Sequence, residues 1–307
     1  MPISLAPVRY RQILNPQNGP IAELQIARGS ITEAATGWHA STRLIHFLRP
    51  DWVPRRAIYA NIDGSGSHEH KNIACHIAIS EALERWAYFE TSRSKASSKY
   101  GFDRECNTTG MSAYPGLIET SARQSAKQEA VERWALSEWW CGKLPVELTR
   151  GSYRNSGEAI IVTPFPEIIV MIVWRSHQLD DSQENFFSYG FAGGRSQQEA
   201  KHRALIEEHR NREVLRDFLV LDKSVGNSLD FYLEKRLLYF ASVQGLDAFQ
   251  SRIDQTSQLR LSAEKPQSIV DSPIKGPWTK FAYVWRVLYE NTSDQHLDPS
   301  DSNFFYF

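Results

Sequence analysis

Glu129-Ala-Val-Glu-Arg-Trp-Ala135 decides how this chain is read, because it has a twin upstream, Glu81-Ala-Leu-Glu-Arg-Trp-Ala87. Only Leu83 against Val131 differs between the two copies. A weaker third copy follows at Ala204-Leu-Ile-Glu-Glu-His-Arg-Asn-Arg212. The match extends backwards. Ala74 and Ala78 precede Glu81 at the same steps by which Ala122 and Ala126 precede Glu129, and Ala200 and Ala204 precede Glu207. The common frame is A-x-x-x-A-x-x-E-x-x-E-R, an internal repeat.

Residues three and four apart share one face of a helix, so the frame sets small residues and paired acids along one side. Glu81 points with Glu84, and Glu129 with Glu132. Alanines nearby would let a helix or strand approach closely. Carboxylates that converge repel one another and resist desolvation, so they call for cations. Hard oxygen ligands suit Mg2+, which commonly links carboxylates to substrate phosphates. Arg85, Arg133, Arg210 and Arg212 lie in the same segments and suit phosphate oxygens or the acids themselves. One Glu-x-x-Glu-Arg alone would read as a solvated helix face; two near-identical copies, each after a Gly/Ser stretch, favour function.

Each copy is expected to follow a strand and a glycine turn. Ile58–Ile62 reads as a short strand into Asp63-Gly-Ser-Gly-Ser67, with a helix over 72–92. Asn107-Thr-Thr-Gly-Met-Ser-Ala113 leads to a helix over 119–140. Phe186–Tyr189 enters Gly190-Phe-Ala-Gly-Gly194, with a helix over 197–219. In the first helix Ile73, Ile77, Leu83, Trp86 and Phe89 form the apolar period. Ala159–Thr163 and Glu167–Trp174 are β-rich and predict an antiparallel pair turning at Pro164-Phe-Pro166. Ile21–Ala27 is short strand or helical turn, and Arg43–Leu48 a strand stopped by Pro50. Asp180–Asn185 is a polar loop, 222–265 is helical, 266–277 is loop, and Lys280–Tyr289 is a last strand. The fold class is α/β (mixed α+β), with repeated strand–Gly turn–helix units on mixed or antiparallel sheets. One composite domain over 1–307 is expected, with parts at 1–60, 61–220 and 221–307.

A net charge of −1 gives no basic field for nucleic acid, and no apolar run is long enough to span a membrane. Cys75, Cys106 and Cys141 are odd in number and far apart, which fits a reducing cytoplasm and gives no CxxC metal site. Gly64-Ser-Gly66 lacks the Gly-Lys-Ser/Thr of a Walker loop. His68-Glu-His70 has no Pro-Cys-x-x-Cys to make a zinc deaminase. Cys141 reads as a packed thiol.

The ordered triple over Gly64–Arg85, Thr109–Arg133 and Ala204–Arg212, about half the chain, resembles the YcaO family. The resemblance implies an ATP-binding fold in which Glu81, Glu84, Glu129, Glu132 and Glu207 hold Mg2+ and ATP, with Ser65, Arg133 and Arg212 at the nucleotide. It implies ATP-dependent phosphorylation of a peptide-bond oxygen after a nucleophile has added to the carbonyl. A Cys, Ser or Thr side chain then gives an azoline; external sulfide gives a thioamide, often with a TfuA-like partner. Azoline formation is put slightly ahead, and a non-catalytic ATP-binding scaffold is the third reading. Ser65 stands where the family often has Lys, Ile77 where Ser is common and Trp134 where Asp is usual. The proline-rich tail of azoline formers is replaced by Asn303-Phe-Phe-Tyr-Phe307, and no leader-binding domain is fused. The expected partners are a ribosomally made precursor peptide and a separate peptide-presenting protein, with self-association left open.

Overall fold

The structure is a computed structural model that describes residues 6–53, 56–59, 62–104, 108–116, 118–149, 155–179, 185–221, 229–291, 295–298, 300–301 and 303–307. Its chain is shared between two compact units. Residues 1–54, 61–130 and 268–289 make the first, and 55–60, 131–267 and 290–307 the second.

In the first unit, α1 (Ala6–Ile13) precedes a long hairpin of β1 (Ile21–Thr32) and β2 (Ala35–Leu44). β3 (Gly64–His68) completes an antiparallel sheet in the order β1-β2-β3. α2 (Lys71–Ser92) lies on that sheet. A second antiparallel sheet has the order β4 (Met111–Tyr114), β10 (Tyr283–Tyr289), β9 (Ser268–Pro273). Ile79, Leu83, Trp86 and Phe89 of α2 share one core with Trp278, Phe281, Val284 and Leu288. Burial of such large apolar side chains is the main stabilising term here.

α3 (Glu119–Trp140) begins in the first unit and ends in the second. The second unit's sheet is an antiparallel meander of β5 (Val146–Leu148), β6 (Ser156–Ile161), β7 (Ile169–Gln178) and β8 (Asn185–Gly194). α4 (Gln197–Leu221) lies against β7 and β8, and α5 (Tyr232–Phe240) and α6 (Val243–Thr256) follow. An aromatic core joins Trp139, Tyr189, Phe240 and Phe249 to Phe305, whose ring centroid is 4.9 Å from that of Phe240 and 5.1 Å from that of Phe249. Phe304, Phe305 and Tyr306 are all buried, so the aromatic tail is core.

The mixed α/β class, the antiparallel β6–β7 pair and the three repeat helices match the sequence expectation. Two of the three glycine turns do not. Gly64–Ser67 is strand β3, and Gly190–Gly194 is the end of strand β8. Their glycines serve close approach. A Cβ built on Gly66 would stand 2.3 Å from the Ala74 carbonyl oxygen, and one on Gly190 would stand 2.0 Å from that of Ala204. Strand backbone thus lies directly on the alanine faces of α2 and α4, where no side chain fits between. Of the three expected glycine turns, the one that holds is at Gly110, φ +66°.

Other expectations are corrected. Arg43–Leu48 is the end of β2 followed by one 3-10 turn at His46–Leu48. The stretch 266–277 contains β9, whose polar residues pair with β10 at its edge. Ile73 and Ile77 are exposed at 40% and 38%, because the buried face of α2 is the alanine row Ala74, Ala78 and Ala82. Tyr59 is in a bend, not a strand; Ala60 and Asn61 lie outside the described residues, as do Cys106, Asn107, 180–184 and 222–228.

Candidate functional site

Each unit positions its own set of the repeat acids. In the first, α2 presents Glu81, Glu84 and Arg85 within one turn. Glu81 Oε2 accepts the Ser65 main-chain N–H at 2.7 Å and its hydroxyl at 3.3 Å. Arg85 Nη2 donates to the other oxygen at 2.5 Å, while its Nη1 donates to the Ile62 carbonyl at 2.9 Å. The glycine strand and the repeat arginine therefore fix Glu81 between them.

Glu84 is half-buried, and its carboxyl is held well above the ordinary carboxylate range. Burial is the first cause; the negative charges of Glu129 and Glu81 add to it, and Arg85 and Arg286 oppose it. Arg286 was not anticipated from sequence. It is fully buried on β10, donates from Nε to the Tyr100 carbonyl at 2.9 Å and from Nη1 to the Thr109 carbonyl, and lies 4.4 Å from the Phe102 ring centroid. An arginine inside an alternating apolar strand resembles any edge arginine in sequence; only its distant partners mark it.

In the second unit, Glu132 is 5% exposed and accepts the Gly193 N–H at 2.7 Å. Arg133 Nε stands 3.7 Å from its other oxygen. The Arg133 guanidinium lies 4.8 Å from the Phe191 ring centroid and donates to the Phe307 carbonyl at 3.1 Å. Glu207, on α4, accepts the Phe191 N–H at 3.4 Å. Burial pushes its carboxyl up to about 7; Arg133 and Arg210 pull it down and Glu132 pushes it up. Arg212 is engaged by Glu213 Oε1 at 3.1 Å and by His209 Nδ1 at 2.8 Å. It thus pairs along its own helix.

Three further groups escaped the sequence reading. Tyr59 is tucked beside Glu207 and Arg210, and its hydroxyl donates to Asn211 Oδ1 at 2.9 Å. Burial first, then the Glu207 charge, raises that phenol far above its ordinary range. Glu234, fully buried, accepts the N–H groups of Ala57, Ile58 and Tyr59 at 2.8–3.0 Å and so pins the segment that carries Tyr59. Glu208 is a separate buried carboxylate on α4, one residue on from Glu207. Its Oε1 accepts Ser188 Oγ at 2.5 Å and lies 3.1 Å from His177 Nε2, and these contacts hold it below the ordinary range despite burial.

Among the described residues, no group of three or more His, Cys, Asp or Glu side chains is close enough to cage a metal ion. Among the described residues no helix is long and apolar enough to cross a membrane. The donor set still fits a hard cation: Glu84 beside Glu129 and Glu81, and Glu207 beside Glu132, are like charges drawn partly out of water.

No protein-family model matches the sequence, and no curated protein matches it. Solved structures do match the fold. The E. coli microcin synthetase McbBCD complex contains a chain that is 12% identical, with 87% of each chain covered and a TM-score of 0.53. The same complex with pro-MccB17 bound gives 11% identity, 86% and 87% coverage and a TM-score of 0.53. YcaO from Methanopyrus kandleri bound with AMPPCP and Mg2+ gives 13% identity, with 97% of this chain and 91% of that one covered, and a TM-score of 0.53. The chain has the YcaO fold.

Proposed function

We propose that this chain is an ATP- and Mg2+-dependent enzyme that activates peptide amide carbonyls in the modification of a ribosomally made peptide. The observation that carries the reading is the gathering of Glu84, half-buried, with Glu129 and Glu81 in a chain that has the YcaO fold. Like charges drawn together out of water either take up a proton or are answered by a cation or ligand, and Mg2+ with phosphate supplies the second. The second such pair, Glu207 with Glu132, repeats the pattern in the other unit.

Glu81, Glu84, Glu129, Glu132 and Glu207 are assigned to Mg2+, with Ser65, Arg133 and Arg212 assigned to ATP. Mg2+ is commonly bound by one or two carboxylates plus phosphate oxygens, so an open donor set suits it better than a closed cage. When bound, Mg2+-ATP supplies the phosphoryl group that makes the amide oxygen a leaving group. The chain's own residues orient and neutralise. Ser65 and Arg85 lock the Glu81 rotamer, and Gly193 N–H fixes Glu132. Arg133, over the Phe191 ring and bonded to the Phe307 carbonyl, presents a positioned positive charge. Positioning and charge compensation are the main protein contributions to phosphoryl transfer.

That Mg2+ and AMPPCP occupy a protein of this fold, and that another works in a complex holding pro-MccB17, supports the nucleotide and a peptide partner. Azoline formation from Cys, Ser or Thr is the reaction we assign, in the cytoplasm, with a separate protein presenting the peptide. One observation favours a non-catalytic nucleotide-binding scaffold: both Glu81 oxygens already have partners within the chain.

The test is ATP turnover with Mg2+, alone and with candidate peptides and presenting proteins, read beside the peptide's mass. Turnover with loss of water supports azoline formation. Exchange of oxygen for sulfur when sulfide is supplied supports thioamide formation by a TfuA-assisted route. Binding without turnover supports the scaffold. A Glu84→Gln chain that keeps full ATP-dependent activity overturns the site.

A further inference from the structure

Eight residues beyond Glu132, a rise of about 12 Å along α3, the helix ends at Trp140. There Cys141 and Lys143 of the following turn, Arg252 of α6, and Asp301 and Phe304 near the C-terminus line an open cleft of about 660 Å3. All of it belongs to the second unit.

Arg252 is the key group. Its guanidinium lies 5.5 Å from the Trp140 ring centroid. It also occupies the space that a side chain at residue 142 would take: a Cβ there would come within 2.7 Å of Nη1. Gly142 sits at φ +77°, a conformation that favours glycine. Among the described residues no carboxylate ion-pairs with Arg252. Its charge is felt at Cys141, and burial lowers its proton affinity without an acid to offset that.

We infer that this cleft is a binding site for a carboxylate group borne on an aromatic or apolar body. Arg252 and Lys143 outweigh the one acid in the lining, Asp301, by a single charge, which matches a monoanion better than a phosphate dianion. A guanidinium presents a planar fork that suits a carboxylate's two oxygens. Half-buried Trp140 supplies ring surface for the attached body, and Phe304, 2% exposed, only closes the wall. The inference does not depend on the nucleotide reading.

Cys141 reports occupancy from inside the cleft. Iodoacetate and iodoacetamide both alkylate a thiol, with iodide leaving and the proton passing to solvent, but only iodoacetate carries a carboxylate. The ratio of their rates at Cys141, followed by mass spectrometry of the intact chain's peptides, measures anion selection apart from thiol reactivity. Cys75, on α2, is the internal standard. The ratio at Cys141 is expected to fall about tenfold in Arg252→Gln, the loss of one charge-assisted contact. It should hold an intermediate value in Arg252→Lys, and that at Cys75 should not move.

N-acetylphenylalanine should slow iodoacetamide at Cys141 severalfold, and its amide should not. An unchanged ratio in both folded variants overturns the site, as does equal protection by acid and amide. Either result leaves ATP binding, measured separately, untouched.

Discussion

Replacing Gly66 by alanine should separate a strand from its helix. The added Cβ would lie 2.3 Å from the Ala74 carbonyl oxygen, about 1.1 Å inside the 3.4 Å at which ordinary contact begins. It would also meet Ile77 Cβ at 2.8 Å and Ala78 N at 2.9 Å. Two of these three atoms are helix backbone, and the third is fixed to it, so no rotamer change relieves the clash. The strand and α2 must part by about that distance, which opens the seam at Ala74 and Ala78, both fully buried. Overpacking costs about 1–3 kcal/mol, and rigid backbone on both sides puts this case at the upper end. The matched control is Gly29→Ala in the same sheet, where the nearest atoms are His39 ring atoms at 3.4 Å. It should be neutral or gain about 0.4–1 kcal/mol through the unfolded chain. Urea denaturation of the three proteins measures both. Equal stability in Gly66→Ala and Gly29→Ala would refute the account of β3 as a strand laid on an alanine face.

Other outcomes follow from the buried charges. Glu207 has its pKa raised from 4.5 to about 7, so its contribution to stability is complete below the unfolded value and is lost as pH rises through the folded one. Glu207→Gln should therefore be more stable than the natural chain at pH 8 by as much as roughly 3 kcal/mol and similar to it at pH 4; a variant weaker at pH 8 contradicts this. Glu84→Gln should lose Mg2+-ATP binding by calorimetry while melting no lower than the natural chain, since the charge it removes is unfavourable in the folded state. Arg236, fully buried on α5, donates to the carbonyls of His296, Asp298, Asp301 and Tyr306. Arg236→Met leaves those acceptors without their donor and should cost about 3–5 kcal/mol in chemical denaturation.

Local features of the fold were legible in the sequence; distant pairings were not. The repeat helices could be placed because alanine spacing, acid pairs and flanking breakers all act within a few residues. The spacing predicts a helix over 119–140, and α3 runs from Glu119 to Trp140. The glycine stretches were misread as turns for a physical reason: glycine signals either a positive φ or a close neighbour, and the neighbour here is the helix that follows. Ile73 and Ile77 misled in the same way, since a helix lying on backbone buries its smallest face. Of the candidate site, the repeat acids and Arg133 were visible as a pattern. Arg286, Tyr59, Asn211 and Glu234 were not, because the hydrogen bonds that join Tyr59 to Asn211, Glu234 to Ile58 and Arg286 to Tyr100 and Thr109 span 152–186 residues. Arg212 looked equivalent to the repeat arginines, yet it pairs with Glu213 and His209.

The pairing of β4 with β10 has a consequence for synthesis. Met111 sits opposite Arg286, so the sheet β4-β10-β9 cannot close until β10, about 175 residues further along the chain, has left the ribosome. At about 5–20 residues per second, the strand waits roughly 10–35 s for its partner. Throughout that interval Trp86 and Phe89 lack Trp278 and Phe281 to cover them, and Thr109 lacks the arginine that caps its carbonyl. Nascent chains should therefore be most exposed to chaperones and proteases in the first unit, although much of it is made first. Truncations that remove β10 should leave that unit without a closed core.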